Sequence, residues 1–168
     1  MTEKKGFSLA EMVAVIAIMM LLAALSTPFV KGYIDDAYNG KAQIYMRELN
    51  EARINFEKDY PGTVITGTIS SYDNIPACNI EDIYGQNQLS LGIPILIACK
   101  YLRVPTDVIG RYEFSVGNEA SCDACNVSVA SMNGGENAGN YNGKCACIDS
   151  MGKICKKSED GSNTIVCE

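Results

Sequence analysis

Apolar residues run almost without a break from Phe7 to Val30, then thin into a helical stripe, and later into short alternating runs. The first stretch, FSLAEMVAVIAIMMLLAALSTPFV, carries a single charge, Glu11. About 20 apolar residues suffice to cross a bilayer as a helix, so residues 7–30 are expected to be a membrane helix. In residues 31–60, Ile34, Tyr38, Tyr45, Leu49, Ala52 and Phe56 recur at three-, four- and seven-residue steps. That spacing builds one apolar stripe on a helix continuing out of the membrane. Arg47, Glu48, Glu51, Arg53 and Glu57 fall mostly off the stripe and suit a solvated or inter-subunit face. Pro61-Gly62 ends the helix, because Pro and Gly together disfavour continuation. From Phe7 to Tyr60 a full helix would be about 80 Å long. Gly32, Gly40 and Pro28 weaken its middle. Pro removes one helical hydrogen bond, so a bend or local melting is expected near residues 26–32, or a helix end at the membrane surface.

The remaining pattern is that of a small sheet domain over residues 61–168. Val64 to Ile69 alternates apolar residues with Thr and Gly and reads as a short edge strand. Leu89 to Leu102 is apolar enough to be buried, and Pro94 starts a short helix running to Tyr101. From Gly110 the period is two: Tyr112, Phe114 and Val116, then Val127 and Val129. Asn133 to Gly143 is a Gly- and Asn-rich turn region, and short strands follow around residues 144–149, 153–156 and 164–167. Short strands joined by tight turns make an antiparallel meander, and the stripe from Ile34 to Phe56 is the candidate cover for one face. The expected class is α+β.

Composition narrows the chemistry. The mean hydropathy of +0.01 averages an apolar start and a polar remainder, and the net charge of −6 offers no broad footprint for nucleic acid. No histidine is present, which removes the usual general base and the commonest metal ligand. No nucleophile–base pair or phosphate loop stands out, so neither an enzyme nor a cofactor is expected. Eight cysteines all lie beyond residue 77: Cys78, Cys99, Cys122, Cys125, Cys145, Cys147, Cys155 and Cys167. An even set in the part outside the membrane reads as disulfides in an oxidising compartment. Cys122-Asp-Ala-Cys125 with Cys145-Ala-Cys147 also invites a four-thiolate zinc site, which the compartment disfavours. Preferred pairs are Cys78–Cys99 and Cys155–Cys167. Cys145 and Cys147 share one strand face and pair poorly with each other.

Glu11 is the residue that asks for an explanation. A carboxylate inside an apolar span is costly, about 2.5–3.5 kcal/mol for a central Asp and less near the end. An intramembrane acid is therefore expected to have a specific partner. Lys4-Lys5-Gly6-Phe7-Ser8-Leu9-Ala10-Glu11-Met12, followed by the apolar run and Pro28, resembles the start of a type IV pilin or pseudopilin. The resemblance implies a leader of residues 1–6, cut by a prepilin peptidase between Gly6 and Phe7, and methylation of the Phe7 amine. It implies that Glu11 pairs with the amino terminus of an identical or related subunit, and that Pro28 breaks or kinks the filament-core helix. Further partners implied are the inner-membrane assembly platform and its ATPase. Removing the leader, which holds Glu3, Lys4 and Lys5 for a sum of +1, leaves −7 on the mature chain.

Ala10 and Met12 depart from the bulkier aliphatics common beside that glutamate, without bearing on cleavage. Lys4-Lys5 keep the amino terminus in the cytoplasm, so the cysteine-bearing domain is exported. The subunit would sit in the inner membrane before assembly, then in an extracellular pilus or a periplasmic pseudopilus. A secretion pseudopilin often carries a calcium loop of clustered acids. Glu159-Asp160 alone does not make one, which favours a pilus subunit, major or minor. The rival readings are a secretory signal with Ala24-Leu25-Ser26 as its cleavage site, or a plain anchor. Either would leave a membrane-anchored or secreted Cys-rich binding domain.

Overall fold

A computed structural model describes residues 8–71, 75–79, 81, 89–103, 106–120, 122–125, 128–157 and 164–167. The chain forms one long helix, α1 (Leu9–Asp59), whose second half packs on a small antiparallel sheet. The class is α+β. Helix α1 is unbroken through Pro28, so the segment at residues 26–32 neither melts nor ends. A single Pro costs one backbone bond, and the neighbours stay helical: Ser26 Oγ and Thr27 Oγ1 both donate to the Ala23 carbonyl, at 3.1 and 2.9 Å. The helix stops at Pro61-Gly62 as expected, with Gly62 at φ 95°.

The face of α1 that meets the sheet follows the expected stripe from Tyr38 to Phe56, is wider than it, and leaves out Ile34. Tyr45, Leu49, Ala52 and Phe56 are buried, but so are Asp35, Ala42 and Met46, while Ile34 is 48% exposed. Arg53 and Glu57, expected on an outward face, are half-buried and pair at 3.0 Å. Glu57 Oε1 also accepts the Ile65 N–H at 3.0 Å and ties the helix end to the first strand.

Residues 63–69 are two strands and not one. β1 (Thr63–Ile65) pairs in parallel with β3 (Leu89–Leu91), whereas β2 (Gly67–Ile69) joins the edge of the main sheet beside β4 (Tyr112–Val116). The chain changes sheet at Gly67, whose φ of 123° favours glycine. Helix α2 (Pro94–Ala98) starts at Pro94 but ends before Tyr101. Lys100 is left-handed at φ 63°, and the Tyr101 N–H turns back to the Leu96 carbonyl at 2.9 Å.

The sheet continues as a meander through β5 (Ser128–Gly134), β6 (Cys145–Asp149), β7 (Ile154–Lys157) and β8 (Ile165–Cys167), every neighbouring pair antiparallel. β5 runs further than the sequence suggested, to Gly134, because Asn133 and Gly134 pair with Glu113 and Tyr112. Val127 lies outside the described residues. The face toward α1 holds Phe114, Met132, Ala130, Ala146 and Ile148, with Tyr45 edge-on to Phe114 at 4.8 Å. The opposite face carries one transverse row across all six strands: Thr68, Ser115, Ser131, Cys147, Cys155 and Cys167. Ser115, Ser131, Cys147 and Cys155 in that row are buried, together with Cys122 and Ala124 in a second small cluster.

Candidate functional site

The N-terminal half of α1 stands clear of the domain. Every large apolar side chain from Leu9 to Val30 is exposed, and the most apolar 18-residue stretch has a mean hydropathy of 2.4 with 0% of it buried. From Leu9 to Val30 the helix rises about 33 Å, against a hydrocarbon core of about 30 Å. A helix of this length and composition can cross a membrane. Nothing else among the described residues covers it, and an apolar surface this large marks a lipid or protein contact.

Glu11 has a partner within its own chain that the spacing Ser8-x-x-Glu11 could have announced. Ser8 is the N-cap of α1, with extended backbone angles of φ −75° and ψ 152°. Its N–H donates to Glu11 Oε2 at 2.7 Å, and its Oγ accepts the Glu11 N–H at 3.3 Å. This reciprocal capping box satisfies two of the donors that a helix start leaves open. It also places the carboxylate at the positive end of the helix dipole. A carboxylate in the first turn is thus far cheaper than one in the middle of the span. Oε1 makes no hydrogen bond among the described residues. Gly6 and Phe7, the expected cleavage and methylation positions, lie outside the described residues. Pro28 sits inside the exposed part of the helix.

The cysteines form four disulfides: Cys78–Cys99, Cys122–Cys145, Cys125–Cys147 and Cys155–Cys167. Cys78–Cys99 ties the connecting region to the end of α2. Cys155 and Cys167 are direct register partners on β7 and β8. The two central bridges staple the 122–125 turn over β6, and Cys145 and Cys147 are not joined to each other. With all eight sulfurs in bridges, none is a thiolate available to zinc.

Charged contacts elsewhere hold loops to the helix. Lys41 Nζ meets Asp107 Oδ2 at 2.6 Å, which lowers the Asp107 carboxyl below its ordinary range and raises Lys41. The Arg111 guanidinium lies 4.0 Å from the centre of the Tyr38 ring. These are positioning contacts around the helix–sheet junction. A search of protein-family models, curated proteins and solved structures finds no match to this chain.

Proposed function

We propose that this chain is a structural subunit of a type IV pilus-like filament, cut between Gly6 and Phe7 and N-methylated at Phe7. The observation that carries the reading is the bare apolar helix with one carboxylate in its first turn, continuous with the helix that packs on the disulfide-bonded sheet. A membrane holds the bare helix before assembly, with the amino terminus cytoplasmic. In the filament, neighbouring helices replace lipid, and Glu11 Oε1 takes the Phe7 amine of the next subunit. Two charges in an apolar filament centre gain only when paired, and breaking such a pair by removing one partner costs about 3–5 kcal/mol. That penalty selects register. Pro28 lets the helix adjust where it leaves the apolar centre. The peptidase, the assembly platform and its ATPase are the implied partners, and a type II secretion pseudopilin remains the nearest alternative.

One observation favours a different reading. The Ser8–Glu11 capping box explains the carboxylate with no partner at all, as expected of a plain anchor carrying a Cys-rich domain. Gln serves a capping box as Glu does but carries no charge. Glu11→Gln therefore separates the two. Expressed as the sole subunit, it should be cut after Gly6, stay in the inner membrane and fail to enter filaments. Filaments of normal abundance from Glu11→Gln would overturn the charge-pairing account and leave the cap as the role of Glu11.

A further inference from the structure

The end of the sheet nearest the apolar half of α1 carries a cationic cavity, although the protein is acidic overall. Its height above the membrane is set by contacts along the helix. Gly139, left-handed at φ 59°, lies directly against the Asp35 carboxylate, so a Cβ at Gly139 would overlap it. Arg111 sits on the Tyr38 ring and reaches the Asn137 carbonyl at 3.3 Å. The loop around residues 137–141 is therefore level with residues 35–38 of the helix. Asp35 is only five residues past Val30, a rise of about 7.5 Å. Tyr141 follows in this loop, its ring 6.0 Å from that of Tyr112, and its carbonyl accepts the Lys144 N–H at 3.0 Å.

A cavity of about 170 Å³ opens there, lined by Tyr141, Gly143, Lys144, Cys145, Lys156, Lys157 and Asp123. It is well below the roughly 300–1,000 Å³ of a pocket for a drug-sized ligand, so it takes one small group. Three lysines are among its lining residues. Lys157 pairs with Asp123 at 3.1 Å. Lys144 and Lys156 have no carboxylate partner among the described residues. Gly143 leaves open space at the rim. Lys31, the first residue after the apolar run, is exposed about one turn nearer the membrane than Asp35.

We propose that this cavity binds the phosphate of an anionic phospholipid headgroup in the leaflet from which α1 emerges. The proposal rests on residues 8–30 lying in a membrane, which the proposed function requires. Two lysines without carboxylate partners among the described residues, at a level about 7.5 Å or more of helix rise beyond Val30 and within a Debye length of the membrane surface, attract such a headgroup, each by about a fivefold preference. Docking the domain on the bilayer would hold the subunit upright until assembly lifts it away, when the lipid is left behind.

The test uses the full chain reconstituted in phosphatidylcholine discs, with phosphatidylglycerol added stepwise. Amide shifts of Gly143, Lys144 and Cys145 report the site. Saturable shifts with phosphatidylglycerol are expected, and Lys144→Gln with Lys156→Gln should weaken apparent affinity about 25-fold. The single Lys144→Gln, on an exposed side chain, should weaken it about fivefold and guards against misfolding of the double variant. Lys58→Gln with Lys100→Gln removes the same charge elsewhere and should change nothing; an equal loss there would reduce the effect to bulk charge and overturn the site. Inorganic phosphate added to phosphatidylcholine discs distinguishes the other source of the same chemistry. If it alone reproduces the shifts, the lipid assignment is wrong. If the chain enters the discs but phosphatidylglycerol moves none of these amides, this proposal fails while the membrane reading stands. If the chain never enters the discs, both fall.

Discussion

The contact between Gly139 and Asp35 joins residues more than a hundred positions apart, and replacing Gly139 with Ala should break it in a measurable way. Two penalties combine. A non-glycine residue at φ 59° costs about 1–2 kcal/mol. The added methyl also falls on the Asp35 carboxylate, which is buried at 7% exposure, so the carboxylate, the helix or the loop must shift. Overpacking of that kind costs about 1–3 kcal/mol. Together Gly139→Ala should destabilise the oxidised full chain by about 2–5 kcal/mol. The carboxylate's share is isolated by repeating the change in an Asp35→Ala background, where only the backbone strain of about 1–2 kcal/mol remains. Asp35→Ala by itself should cost little, because Asp35 Oδ2 is buried with no hydrogen-bond partner among the described residues and its removal relieves that. Denaturant unfolding in detergent micelles, followed by near-UV circular dichroism, gives all four corners of the cycle. Equal costs of Gly139→Ala in both backgrounds would refute the contact.

Other outcomes follow from single contacts. The Tyr101 hydroxyl donates to Asp59 Oδ2 at 2.6 Å, and this bond, with some burial, raises the phenol well above its ordinary value. Its contribution to stability is therefore fully present below pH about 10, where tyrosines of the unfolded chain ionise, and is lost as pH rises further. Burial also raises the Tyr112 phenol, so ultraviolet titration should show a late step to which both contribute, and Tyr101→Phe should remove its own share of it; an unchanged late step in that variant would contradict the Tyr101–Asp59 bond. Non-reducing peptide mapping of the purified full chain should find Cys122 with Cys145 and Cys125 with Cys147, and the crossed pairing would contradict the staple over β6. Replacing Cys125 and Cys147 with Ser should cost about 2–4 kcal/mol in thermal unfolding, with the other three bridges intact.

The sequence announced elements whose signal is local. Helix α1 and its stop at Pro61-Gly62 follow from a 3.6-residue period and a two-residue break, and β4, β6, β7 and β8 follow from short alternating runs between turns. What it missed depends on distant chain. Ile34 reads as core in the helical stripe, yet the loop carrying Gly139 comes down on Asp35 and leaves Ile34 outside. Nothing near residue 35 could signal that. The parallel pairing of β1 with β3 joins two three-residue segments across a long connection, too short to leave a pattern. The central disulfides depend on the 122–125 turn crossing β6, and spacing alone does not encode a crossing. The capping box is the opposite case. Ser8-x-x-Glu11 is a local pattern that answers the helix's own open donors, so it is legible in the sequence without any outside partner.

The central claim is that this chain is processed for assembly, and intact-mass analysis of filaments sheared from the cell surface tests it most directly. The account predicts a chain that begins at Phe7, carries one added methyl on its amine and holds four intact disulfides. A chain found only in membranes or medium and beginning at Met1 or after Ser26 would contradict it.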